Sequence, residues 1–89
     1  MKIQAESVNN LNAGTIAETG SAAIRGGDCT IDFSGVKRCD SAALACVLAW
    51  LRAARATGGT LSLVALPPYL LSLARLYGVE QLLDGAARR

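Results

Sequence analysis

Residues 31–44 read IDFSGVKRCDSAAL, and this stretch decides the fold. It begins as an apolar strand, passes through a short polar loop and continues as an apolar helix. Asp40 and Ser41 stand at the junction, where short polar side chains typically cap a helix N-terminus. The Ser41 hydroxyl would then lie at the positive end of the helix dipole. We therefore expect the functional surface of the protein to be centred on Ser41.

Length and composition predict one small domain with an aliphatic core. A chain of 89 residues can bury only one core, so residues 1–89 are expected to form a single domain. Of these residues 52% are hydrophobic but only 4% are aromatic, which leaves Leu, Ile, Val and Ala to build that core. The net charge of +2 is small and the basic residues are scattered, which argues against a nucleic-acid-binding protein.

The hydrophobic patterning predicts a cytoplasmic protein that does not insert into the membrane. The longest apolar run, residues 42–51, falls well short of the ~20 residues that span a bilayer. The N-terminal residues, MKIQAE, turn polar before the apolar region of a signal peptide could develop.

The sequence offers no set of residues for catalysis or metal binding. Three cysteines without C-x-x-C spacing, in a chain that lacks histidine, indicate small core residues rather than a zinc site. No nucleophile motif and no phosphate-binding glycine loop is present. Asp28, Asp32 and Asp40 have no spacing that aims them at one ion. We therefore expect no catalytic residue, no metal and no cofactor.

Apolar periodicity predicts strands over residues 2–8, 29–33 and 60–66 and helices over residues 12–25, 41–57, 68–77 and 79–84. The order strand, long helix, strand across residues 29–66 is typical of a parallel crossover unit. The apolar run at 61–66 indicates an interior strand, and residues 85–89 are expected to be loose. The predicted fold class is α/β, a small mixed, mostly parallel sheet with about four helices packed on it.

The helix predicted over residues 12–25 has two candidate starts. Asn12 can act as its N-cap, with Leu11 packing on Ile16 as a hydrophobic staple. Alternatively, the helix begins at Thr15, and Glu18 completes a capping box.

Side chains on the predicted helices divide into core and surface groups. The core-facing stripe of the helix over 41–57 is Leu44, Val47, Leu48 and Leu51. Trp50 lies off this stripe, so it either shields the sheet edge or serves as an aromatic anchor at an interface. Tyr77 follows the helical periodicity and is predicted to be in the core with its hydroxyl at the surface. Gly14 and Gly20 each cost about 1 kcal/mol relative to alanine, which indicates that their helix packs closely on a neighbour.

The order of motifs around the junction resembles the signature of the STAS domain. The residues that carry the resemblance are DFSGV at 32–36 and DSAAL at 40–44, and the match covers roughly Leu11 to the end. Bacterial anti-sigma factor antagonists and sulfate-transporter tails share this domain. In the family, a Ser or Thr after the aspartate is phosphorylated by a partner kinase or packs against a partner protein, and here that residue is Ser41. A phosphate at a helix start can accept hydrogen bonds from backbone N–H groups. Its charge and volume would block the docking of a flat partner surface.

The resemblance implies a set of partner-binding residues around this junction. These are Arg38, Asp40, Ser41, Ala42, Ala43 and Trp50. Ser41 is in addition the candidate phosphorylation site. The two alanines would let a partner approach the start of the helix closely.

The C-terminal segment indicates which subgroup of the STAS family the sequence resembles. Residues 73–83, LARLYGVEQLL, are similar to the ending of MlaB-type STAS domains. This implies a non-catalytic subunit that binds an MlaF-like ABC ATPase and supports phospholipid transport for outer-membrane lipid asymmetry, at the inner face of the inner membrane. The alternative is an anti-sigma factor antagonist switched by phosphorylation of Ser41. A homodimer of the isolated subunit through the same patch also stays open.

Overall fold

The computed structural model describes residues 1–79, 81, 87 and 88. Its elements are β1 (Ser7–Val8), α1 (Ala13–Arg25), β2 (Thr30–Asp32), β3 (Arg38–Cys39), α2 (Ser41–Ala56), β4 (Ser62–Val64), α3 (Pro68–Leu76) and β5 (Ala87–Arg88). The predicted α/β class is confirmed. The short helix predicted over 79–84 falls mostly outside the described residues. No helix within the described part of the chain is long and apolar enough to cross a membrane.

Every strand pairing among the described residues is parallel. One sheet has the order β2-β4-β5, and β1 pairs separately with β3. Ile31 of β2 lies opposite Leu63 of β4, and both side chains are fully buried. The chain passes from β2 through β3 and α2 to β4, so the predicted parallel crossover is present and β4 is an interior strand.

The N-terminal strand is shorter than predicted and is divided in two. Lys2 forms a single parallel bridge with Asp32, and the ladder resumes only where β1 meets β3. It is interrupted because residues 33–36 form a turn, closed by a 2.9 Å hydrogen bond from Val36 N to the Phe33 carbonyl. A two-residue strand such as β3 has no periodic signature, so the sequence did not predict it.

The C-terminal end also departs from expectation. Ala87 and Arg88 form β5, which pairs in parallel with Leu63 and Val64 of β4. The expectation that residues 85–89 would be loose is therefore wrong for these two residues, while Gly85, Ala86 and Arg89 lie outside the described part.

Helix α1 begins at Ala13 with Asn12 at the N-cap position, as the first alternative predicted, but the expected capping contacts are absent among the described residues. Leu11 is 90% exposed, so it does not act as a staple. The Asn12 side chain makes no capping hydrogen bond. Instead its Oδ1 accepts from Asn9 N at 3.0 Å and its Nδ2 donates to the Ser7 carbonyl at 2.8 Å. The asparagine therefore fixes the loop between β1 and α1.

The core is centred on the contact between α1 and α2. Trp50 is completely buried, and its Nε1 donates a 3.1 Å hydrogen bond to the Ala17 carbonyl. Its ring lies against Gly20, where a Cβ would overlap the indole. Phe33 packs edge-on against it with the ring centroids 6.0 Å apart. The interface alternative for Trp50 is wrong, since the buried ring has no accessible surface; it fills the contact between α1, α2 and Phe33.

The core-facing side of α2 is rotated from the predicted stripe. Its buried residues are Ala43, Leu44, Cys46, Val47, Trp50 and Ala54. Leu48 and Leu51 are only half-buried, because the principal neighbour of α2 is α1 and α3 makes a smaller contact. The prediction for Tyr77 is also wrong, since this side chain is 57% exposed.

Candidate functional site

The junction between β3 and α2 is held rigidly by Asp40. Its backbone is extended, and its Oδ1 accepts a 2.8 Å hydrogen bond from Ala42 N, which caps the helix. Its own N–H donates to the Val8 carbonyl at 3.2 Å. Asp40 is therefore the N-cap, and it joins the start of α2 to β1.

Ser41 is the first residue of α2 and is exposed. Its hydroxyl makes no hydrogen bond within the described residues. Because Asp40 already caps the helix, Ser41 has no capping role. Its hydroxyl is available to a partner protein or to a modifying enzyme.

Two of the predicted partner-binding residues have no accessible side chain. Ala43 is 1% exposed and Trp50 is 0% exposed, and both belong to the core. The prediction that these two residues bind a partner is therefore wrong, because a partner could touch their side chains only if the core opened. Ala42 is half-buried, and Arg38 is exposed.

Leu11 adds an apolar side chain at the same end of the molecule, and the sequence prediction missed this. Since β1 and β3 are parallel, the loop after β1 and the start of α2 emerge at one end. The contact from Cys46 Sγ to the Ala13 carbonyl, at 3.4 Å, fixes the first turn of α1 beside α2. The sequence did contain a signal, since Leu11 is an apolar residue inside an asparagine-rich loop. The sequence analysis explained it as a hydrophobic staple instead.

Tyr69 contributes an aromatic side chain beside Arg38 and Cys39, at the end of β3. It is 55% exposed and lies in the first turn of α3. Together with Pro67 it faces Arg38 and Cys39 across a shallow cavity of about 270 Å³, which Lys37 also lines. Tyr69 lies outside the buried set Leu70, Leu73 and Ala74 of α3, and this mismatch is the signal that could have identified it.

We use the name α2 docking surface for the exposed and half-buried residues at this end. They are Leu11, Arg38, Asp40, Ser41, Ala42 and Tyr69.

Two cations lie in or beside the α2 docking surface, Lys37 and Arg38, and only Lys37 is paired with an acid among the described residues. Lys37 Nζ lies 3.7 Å from Glu6 Oε1, and both side chains are largely exposed, so the pair contributes little to stability. Arg38 forms no ion pair with any described residue. Its positive charge therefore has no ionic partner in the part of the chain that the structure describes.

Four further titratable groups have pKa values that their local contacts or burial shift. A hydrogen bond from the N-terminal ammonium lowers the pKa of Asp28, and the Ser34 backbone N–H lowers the pKa of Asp32. Burial raises the pKa of the Cys39 and Cys46 thiols, which keeps them protonated and poorly nucleophilic at neutral pH. Among the described residues, no group of His, Cys, Asp or Glu could hold a metal ion.

Comparison with known proteins gives one match and one negative result. The family described as "Mlab, STAS domain" matches residues 5–84. No curated protein matches the chain. The matched residues run from β1 to α3 and include the whole junction around Ser41, while β5 lies beyond the match. The chain therefore belongs to the Mlab STAS domain family, whose domains are generally non-enzymatic accessory or regulatory units.

Proposed function

We propose that this protein is a non-catalytic accessory subunit of a phospholipid-transporting ABC system. It binds an MlaF-like ABC ATPase and supports the assembly and activity that maintain outer-membrane lipid asymmetry. It acts at the inner face of the inner membrane through that complex. The observation that carries the proposal is the match of residues 5–84 to the Mlab type of STAS domain.

The α2 docking surface has the properties that such a role needs. Its backbone is fixed by the Asp40 cap and by the bond to Val8, so binding costs little ordering entropy. Ser41 and Ala42 are small, which allows the partner chain to approach closely. The lipid itself has no contact with the subunit in this proposal.

The size of a stable interface indicates that the partner must reach beyond Ser41. A standard interface buries about 800 Å² on each partner, whereas the whole chain exposes 5169 Å². The contact would therefore cover on the order of a sixth of the surface. Leu11 and Tyr69 are exposed apolar side chains at this end of the molecule, and a contact of that size would include residues of this kind.

Substitution of Ser41 by a large cation tests the proposal. Ser41→Arg places a long side chain in the middle of the α2 docking surface and is expected to raise the Kd for the purified ATPase at least tenfold. Ala56→Arg is the matched control, since Ala56 is exposed at the other end of the same helix. Circular dichroism checks that both variants are folded. Equal binding by Ser41→Arg and the wild type would sink the proposed interface.

A second candidate function is regulation of a sigma factor. The exposed Ser41 hydroxyl, free of internal hydrogen bonds, favours this candidate because a kinase could reach it without unfolding the helix. A phosphate there would be stabilised by the N–H groups of the first turn. Incubation with the partner serine kinase, followed by intact-mass measurement, tests it, and an unchanged mass would count against an anti-sigma factor antagonist.

A further inference from the structure

We infer that the partner segment bound at the α2 docking surface carries a carboxylate that pairs with Arg38, next to an apolar side chain that enters the cavity beside Tyr69. This inference rests on the proposed docking function and adds the chemistry of the partner. The occupant is thus an acidic and apolar segment of the partner protein.

The positive charge at the rim of the cavity favours a carboxylate on the partner protein. Lys37 and Arg38 lie on one side of the cavity, and Arg38 lacks an ion-pair partner among the described residues. Of the nearby acids, Glu6 faces Lys37 and Asp40 accepts from its own helix. The acids among the described residues therefore leave the Arg38 guanidinium without a partner. Its planar group can bind a carboxylate through two parallel hydrogen bonds.

The start of α3 strengthens this preference. Pro67 stands at its N-cap position without a side-chain cap, and Pro68 follows in the first turn. No carboxylate of the described residues caps the positive end of this helix, and its first turn contains no acidic residue. A carboxylate from a partner would be favoured there by the helix dipole.

The shallow cavity has room for a side chain of the partner. It measures about 270 Å³, below the range of roughly 300–1,000 Å³ that is usual for ligand pockets. Its walls include Cys39, Pro67 and the exposed ring of Tyr69. Tyr and Arg are also among the residue types that most often dominate binding energy at interfaces, and here one of each borders the same cavity.

Two pairs of matched variants test the inference with the purified ABC ATPase as the probe. Arg38→Glu is compared with Arg25→Glu, which reverses an exposed charge at the end of α1. Tyr69→Ala is compared with Tyr77→Ala, because the two rings are 55% and 57% exposed. Binding is measured by biolayer interferometry at low and high salt, after circular dichroism has confirmed folding.

We expect Arg38→Glu to raise the Kd at least tenfold and to remove most of the salt dependence of binding, as loss of a paired charge does. Tyr69→Ala should raise the Kd about tenfold. Both controls should stay within about twofold of the wild type. Arg38→Lys keeps the positive charge but loses the planar guanidinium group, so its Kd should lie between those of the wild type and Arg38→Glu.

The outcomes separate this inference from the proposed function. If Ser41→Arg abolishes binding but either Arg38→Glu or Tyr69→Ala behaves like its control, docking stands and the inference is overturned. If Ser41→Arg has no effect, the proposed docking itself is wrong. If the isolated subunit is a dimer that Arg38→Glu dissociates, the cavity binds a second copy, which also overturns the inference.

Discussion

Replacement of Gly20 by alanine tests the packing that positions α2. A Cβ at Gly20 would fall within the van der Waals radius of the Trp50 indole, closer than real Cβ contacts occur. The indole cannot move away easily, because it is fully buried, rests on Phe33 and is held by the bond to the Ala17 carbonyl. Gly20→Ala must therefore displace the ring or separate the two helices.

Three effects set the size of the change. Overpacking of a core costs about 1–3 kcal/mol, and loss of the indole hydrogen bond costs about 1 kcal/mol more. The higher helix propensity of alanine returns about 1 kcal/mol. Gly20→Ala should therefore lower the free energy of unfolding by about 1–3 kcal/mol.

Gly14 provides a control in the same helix. A Cβ there would meet no atom within 4 Å, so Gly14→Ala should raise the free energy of unfolding by up to ~1 kcal/mol. Urea unfolding followed by fluorescence is the assay, since Trp50 is the only tryptophan and reports on this contact. If Gly20→Ala stabilised the protein as much as Gly14→Ala, the close packing of α1 on Trp50 would be refuted.

Three further predictions concern the junction, pH and the turn after β4. Asp40→Ala removes the cap of α2 and should lower the free energy of unfolding by about 1 kcal/mol, while Asp40→Asn should keep most of it; urea unfolding distinguishes them. The folded state lowers the pKa of Asp28 and Asp32 from 3.8, so it binds fewer protons than the unfolded state. The stability they contribute is complete only well above pH 3.8 and is lost as the pH falls through their folded values. Asp32→Asn should reduce this acid sensitivity in thermal melts across pH, and an unchanged profile would contradict it. Ala65 has a φ of +57°, which is strained for a residue with a Cβ, so Ala65→Gly should raise the free energy of unfolding by up to ~1 kcal/mol; a lower Tm would contradict this.

The sequence predicted the long elements well because their boundaries carry strong local signals. The glycines at 26–27 and 58–59 follow the ends of α1 and α2 closely, and Gly20 indicated the close helix contact. Asp40 was identified as part of a cap from residue type and position alone, which the hydrogen bond to Ala42 N confirms.

The orientation of α2 could not be predicted because apolar residues surround most of this helix. The largest aliphatic side chains suggested a stripe through Leu48 and Leu51, but small residues occupy much of the true core face. Ala43 and Ala54 on that face allow α2 to approach its neighbours, and Trp50 fills the space between α1 and α2. Tertiary packing therefore determined which face is buried.

The docking surface was only partly predictable for a different reason. Asp40 and Ser41 are adjacent in sequence, but Leu11 and Tyr69 reach the same end only through the parallel pairing of β1 with β3 and of β2 with β4. The pairing of β2 with β4 was predicted as a parallel crossover, but the pairing of β1 with β3 depends on a two-residue strand that follows the turn at 33–36, which periodicity does not detect.

Photo-crosslinking tests the central claim, that the start of α2 docks on an ABC ATPase. A photoreactive amino acid is placed at position 41 in one sample and at position 56 in another, since both side chains are exposed on the same helix. Each subunit is irradiated with the purified ATPase, and the products are identified by mass spectrometry. The account predicts an adduct with the ATPase from position 41 and none from position 56. No adduct from position 41, in a mixture shown to form the complex, would contradict it.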